Sequence, residues 1–188
     1  MLTDPGSATS PGNVSPVLPR IFRNGRIVTD DFVFVADDAH LPAGPVIVTQ
    51  KRFLAERDHL LSRPAPLGVR LETAESPDLL RPDLPKLKLI ELRVGYFKDG
   101  RAFSWARVLR TRLHFAGEIR VSGHFLLDQI AFFLRVGVDS FTLAGNWSQT
   151  EIERATGLIS NVYQPSADHR PTIGDLRRRT LVTATAAE

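Results

Sequence analysis

The chain has 188 residues, enough for one domain with a hydrophobic core, and its 43% hydrophobic and 24% charged composition fits a soluble globular protein. Cysteine is absent, which excludes disulfides, thiolate nucleophiles and cysteine-ligated iron–sulfur or zinc sites. The formal net charge is +3, and arginine far outnumbers lysine, a bias that base composition produces as readily as anion recognition.

Residues 1–19 are rich in Pro, Ser, Thr and Gly and lack aromatic side chains, so a disordered N-terminal tail is expected there. A single α/β domain is expected over 20–164. It opens with IFRNGRIV, where Asn24-Gly25 between two β-prone runs predicts a hairpin with a type I′ turn. The apolar run 32–35 is expected to extend that antiparallel element. From Val46 strands and helices alternate. A strand at 46–48 is followed by a helix over 51–61, with Thr49 as its cap, and then by a strand at 69–71. Pro77, Pro82 and Pro85 enforce an irregular connection. Strand 87–94 leads through loop 95–101 into a helix over 103–115 with Ser104 at its N-cap. Strand 118–122, helix 124–136 ended by Gly137, strand 139–143 and helix 150–159 follow. Residues 165–188 read as a flexible polar tail. This order predicts an α/β fold with a mostly parallel sheet, open or partial-barrel-like, with an N-terminal antiparallel hairpin. Ligands in such folds sit at the strand carboxyl ends, here the loops beginning at Thr49, Gly95, Gly123 and Ala144.

Positive charge concentrates between Tyr96 and His124, where Lys98, Arg101, Arg107, Arg110, Arg112 and Arg120 face only Asp99 and Glu118. Arg107, Arg110 and His114 share one helical stripe, and Lys98 and Arg101 precede the helix N-terminus. The pattern fits a sulfate, phosphate or carboxylate site, an acidic protein patch, or a solvated arginine face. In HFLLDQIAFFLRV, helical spacing aligns His124, Asp128, Ala131 and Arg135. His124 oriented by Asp128 is a candidate proton-transfer pair, and an ion-paired stripe is the structural alternative. Glu91 and Arg93 share one face of their strand, as do Glu118 and Arg120 of theirs. If the strands are neighbours, a cross-strand cluster of alternating sign follows.

The chain lacks the GxGxxG, GxxxxGK[ST] and GxSxG signatures, and its five histidines show no metal-site spacing. Neither a cofactor nor a metal is expected. Nucleic acid is not the expected partner, because the aromatic platform of an RNA-binding module is missing. Trp105 and Trp147 are expected to pack rather than to stack on a ligand. No basic segment with a following apolar stretch opens the chain, and no run approaches membrane-spanning length. A cytoplasmic protein without a membrane partner is therefore expected.

The runs DGRAFSWARVLR and GEIRVSGHFLLDQIAFFLRVGVDSFTL resemble a bacterial domain-of-unknown-function family. Its members are described as oxidoreductases and are often encoded beside sulfite reductase in sulfate-assimilation clusters. Asp99, Gly100, Arg101, Ser104, Ala106, Arg107, Leu109 and Arg110 match the pattern DGRxxSxARxLR. Gly117, Glu118, Arg120, Gly123, Asp128 and Gln129 match GELRAxGDVLxDQ, and Gly137, Asp139 and Phe141 match a GFDxF-like strand. His124 stands where the pattern has Asp or Asn. The resemblance covers 87–145 well and implies a role in reductive sulfur assimilation.

Together these readings give an accessory protein of sulfite or sulfate reduction. It would bind an anion or a partner protein, such as sulfite reductase or another assimilation enzyme, through Lys98, Arg101, Ser104, Arg107 and Arg110. Arg120, Asp128 and Gln129 would organise the adjacent pocket. The alternative is a small enzyme acting on a sulfur-containing or phosphorylated metabolite at the strand carboxyl ends, with Asp128 or His124 carrying the proton.

Overall fold

The first strands form because Asn24 and Gly25 both adopt left-handed backbone angles (φ 52° and 75°), the conformation a two-residue type I′ turn requires. They join β1 (Arg20–Arg23) to β2 (Arg26–Thr29) as an antiparallel hairpin. The computed structural model of the chain describes residues 19–143, 145–157 and 160–185. The N-terminal tail expected at 1–19 therefore lies almost wholly outside the described residues, as does Ala144.

The alternating segments give β3 (Val33–Phe34), β4 (Val46–Thr49), β5 (Leu67–Glu72), β6 (Leu89–Val94), β7 (Glu118–Gly123) and β8 (Ser140–Thr142). These six run parallel in sequence order, and the hairpin adds antiparallel through β1 to β8. The result is one eight-stranded sheet in the order β2-β1-β8-β7-β6-β5-β4-β3, curled into a half-barrel. The mostly parallel α/β fold with an N-terminal antiparallel hairpin is thus present.

Run 32–35, expected beside the hairpin, pairs instead with β4 at the opposite edge. Only residues 30–32 separate β2 from β3. Four backbone steps reach at most about 14 Å, so the two edges of the sheet must curl to within that distance. The short link is therefore compatible only with a sheet curled in a barrel-like way.

The outer face carries the main core. Val69, Ile90, Val121 and Phe141 pack there against α1 (Gln50–Ala55), α3 (Arg101–Arg107), α4 (Gln129–Arg135) and α5 (Gln149–Gly157), whose buried Phe53, Ala106, Phe133 and Ile152 belong to the same cluster. The Thr49 hydroxyl accepts from Arg52 N–H at 3.0 Å, the cap expected for the first helix. That helix breaks at Glu56, leaving α2 (Arg57–Leu61) as a separate turn.

Three further helices depart from the sequence pattern. α3 starts at Arg101 because the Asp99 carboxylate accepts the Arg101 N–H at 3.1 Å, and the chain then widens into a π-helical turn at Val108–Arg112. Ser104 is therefore exposed in mid-helix rather than capping it. α4 starts five residues later than expected, after a turn in which the Gln129 side chain accepts the Leu126 N–H at 3.0 Å. From Pro165 the polar segment contains α6 (Ile173–Thr185), started by a reciprocal cap. The Thr172 N–H donates to Asp175 at 2.9 Å, and the Asp175 N–H donates to the Thr172 hydroxyl at 3.2 Å. Among the described residues, no helix is long and apolar enough to cross a membrane.

Candidate functional site

Strand alternation turns one set of side chains outward to the helices and the other into the curl. The inward set is polar along β5, β6 and β7: Arg70 and Glu72, Glu91 and Arg93, then Glu118, Arg120 and Ser122. Register places Arg70 beside Glu91, Glu91 beside Arg120, and Arg93 beside Ser122. The alternating cross-strand cluster is therefore real, on one face, and it extends further than β6 and β7.

Arg120 is its centre and is fully buried. Its guanidinium donates to Asp30, to Glu118 Oε1 at 2.7 and 3.1 Å, and to the Ser140 hydroxyl at 3.1 Å. Arg70 donates to Glu91 at 2.5 Å, Arg23 to Glu118 at 3.3 Å, and Arg93 pairs with Glu72 at 3.6 Å. Arg23, Arg70, Arg93 and Arg120 thus balance Asp30, Glu72, Glu91 and Glu118. Removing an ion from water costs several kcal/mol unless it is paired, and here each buried charge has its partner.

The link from β2 to β3 crosses this face as a strap. Asp30 reaches the Arg120 guanidinium, the Phe32 ring lies 5.7 Å from it, and Phe34 lies 3.5 Å from the Arg70 guanidinium. The Asp30 N–H is tied to Pro19 O at 3.0 Å. The middle of the inner face is thereby covered.

The open part is the rim at the strand carboxyl ends. Arg93 and Glu72 keep 47% and 51% of their side chains exposed there. Beside Arg93, the Ser122 hydroxyl is buried and has no hydrogen-bond partner among the described residues. Two rim loops are stitched together by Gln129: its amide donates to Phe97 O at 2.9 Å while its oxygen accepts from Leu126. His124 N–H donates to Val94 O at 2.8 Å, closing the same junction. Tyr96, Lys98, His124 and Leu126 are exposed on this stitched pair, with Tyr96 against Phe97 at 4.8 Å and Lys98 5.7 Å from the Phe97 ring.

The basic residues singled out in the sequence divide between the two ends of the sheet. Lys98 and Arg101 sit at the carboxyl rim, and Arg110 lies nine residues along a helical path, about 13 Å away at 1.5 Å per residue. Arg101 is held by Asp99, which its guanidinium and N–H keep well below the usual carboxylate range. It also donates to Thr73 at 3.4 Å, beside the Trp105 indole that donates to Thr73 O at 3.1 Å. Arg110 is a structural clamp: it donates to Gly137 O at 2.8 Å, Phe115 O at 2.5 Å and Gly117 O at 2.8 Å, and pairs with Asp139. Arg112 pairs with Asp78 at 2.7 Å. Ser104 and Arg107 are exposed along α3. Asp128 is exposed just before α4, and Arg135 pairs with Asp168 at 3.3 Å. The helical stripe linking His124, Asp128 and Arg135 does not form, because α4 begins only at Gln129.

Sequence reasoning missed Asp30, Arg70, Ser140 and Phe32. Arg70 was within reach, since it alternates with Glu72 on one face of an apolar strand. Asp30 carried no such signal.

Among the described residues, no group of three or more His, Cys, Asp or Glu side chains could hold a metal ion. No curated protein matches the chain. The sequence model of one family, described as a bacterial protein of unknown function (DUF934), matches residues 68–173. That stretch holds the inner-face residues from Arg70 to Ser140 and both stitched rim loops, and it excludes the strap. It is more than half of the chain, and the protein belongs to that bacterial family.

Proposed function

We propose that the protein is an accessory docking protein of reductive sulfur assimilation, presenting its carboxyl rim to an acidic patch on sulfite reductase or a neighbouring enzyme. The pathway comes from the family resemblance of the DGRAFSWARVLR and GEIRVSGHFLLDQ runs. The surface comes from one observation: the loops joined by Gln129 expose Tyr96, Leu126 and Lys98 together, with Tyr96 55% accessible. An exposed tyrosine is the side-chain type enriched at protein contacts, and a lysine beside it would steer an acidic partner towards it. The ion pairs of Arg101, Arg110 and Arg112 leave less of the basic helix for this work than its sequence promises.

The test is co-elution of the purified chain with purified sulfite reductase at low salt. A complex is expected, weaker at high salt, and lost in the Lys98→Glu/Leu126→Asp variant but kept in Lys86→Glu at the opposite end of the sheet. Separate elution of the wild type at low salt overturns the docking reading. A second reading, a small oxyanion or sulfur-containing metabolite bound at the same rim, is favoured by the partnerless Ser122 hydroxyl beside Arg93. Calorimetry with sulfite, sulfate and phosphate on wild type and Ser122→Ala tests it, and absence of heat with all three overturns it.

A further inference from the structure

At the opposite end of the sheet, where β6 and β7 begin, a groove of about 480 Å³ opens between the 77–86 segment and the turn after the π-helical stretch. Its floor is apolar: Leu84, Leu87 and Phe115 are buried, and Leu113 joins them. Its rim carries Arg81, Lys88 and His114, all exposed. Lys88 also borders a second, smaller hollow of about 180 Å³, which adds Lys86 and Arg63. None of the described residues lining either hollow is acidic. Arg81 is tied to Asp78 at 3.3 Å, but the Lys88 and Lys86 ammonium groups have no carboxylate partner among the described residues.

An apolar trough of this volume is the size of small-molecule sites. Unpaired cations along one side add a positive potential that a counter-charge would relieve. We propose that this groove binds a small amphipathic anion, a carboxylate or sulfonate on an aromatic or aliphatic body. The body lies along Pro85, Leu113 and Ala116 above the Leu84 and Phe115 floor, and the headgroup is held at Lys88. His114, kept at φ 52°, fixes the turn that forms the far wall. The site is separate from the carboxyl rim and does not depend on what docks there.

Fluorescence titration of the folded full chain with anilinonaphthalenesulfonate tests it. Saturable binding to one site is expected, displaced by decanoate and not by decyltrimethylammonium. Lys88→Glu should weaken binding by about tenfold, as reversing one charge a few ångströms from the headgroup in a wet site predicts. Lys51→Glu, remote on α1, should leave affinity unchanged, and Ala116→Trp should block the groove by filling it. Binding that never saturates, equal displacement by the cationic surfactant, or an unaltered affinity in both Lys88→Glu and Ala116→Trp would overturn the proposal.

Discussion

Arg120 is the residue on which the inner face turns, and Glu118 is where its influence can be measured. Burial alone would raise the Glu118 carboxyl, but the Arg120 charge, the hydrogen bonds from Ser140 and Arg120, and Arg23 together hold it below its ordinary value. A carboxylate depressed in the folded state contributes stability that is complete above the unfolded pKa and is lost as pH falls through the folded one. Glu118→Gln removes that contribution, so urea unfolding across a pH series should show a shallower loss of stability in acid than in wild type. An unchanged slope would mean that the network does not hold Glu118 ionised. Asp139 has the opposite sign. Burial is its largest influence and raises its pKa despite the Ile119 N–H and Arg110, so its contribution is present in acid and fades as pH rises. Part of that rise in pKa comes from the Glu118 charge itself, so Glu118→Gln also trims this opposing trend. The period-two charges of Glu91, Arg93, Glu118 and Arg120 made half of this network legible in the sequence. Asp30 was not, because it lies 90 residues from Arg120 and no local pattern records a contact made by a strap.

At the scale of elements, local chemistry was legible and partner choice was not. Asn24-Gly25, the Thr49 cap and Gly137 (φ 95°) each act through a neighbour close in sequence, and each appears as its residue type dictates. Strand β3 is two residues long, and an apolar run that short says nothing about which edge it joins. α4 looked longer because Phe125, Leu126 and Leu127 continue its apolar run, and His124 and Asp128 fall in line with Arg135 at helical spacing. The Gln129 side chain and Gly123 instead fix a turn ahead of it. Gly123 ends β7 at φ 90°, and a Cβ there would overlap the Val94 carbonyl oxygen of β6. That same oxygen accepts the His124 N–H. Gly123→Ala combines backbone strain with a backbone collision, and it should destabilise the fold by about 2 kcal/mol or more in chemical denaturation. A change under about 0.5 kcal/mol, the range of an unconstrained surface substitution, would show that the β6–β7 carboxyl ends can separate freely.

For the whole molecule, the question is what keeps an eight-stranded sheet curled over a charged interior. Right-handed twist alone coils a sheet without bringing its edges together. Here the edge strands β2 and β3 are joined by residues 30–32 alone, and that link also supplies the Asp30 carboxylate and the Phe32 ring to Arg120. Lengthening it should relax the curl without removing any contact residue. The absence of cysteine makes this measurable, since a single thiol becomes a clean reporter. Ser122→Cys suits the purpose, because its hydroxyl is buried and makes no hydrogen bond among the described residues that the thiol would lose. In the otherwise native chain the thiol should react slowly with an aromatic disulfide reagent. With Gly-Ser-Gly-Ser inserted after Asp31, labelling should accelerate by at least about tenfold, the response to about 1.4 kcal/mol of lost closure when opening is in rapid equilibrium. Equal rates in the two proteins would place the cause of curvature in the sheet and its outer helices, with the strap merely lying in a groove already formed.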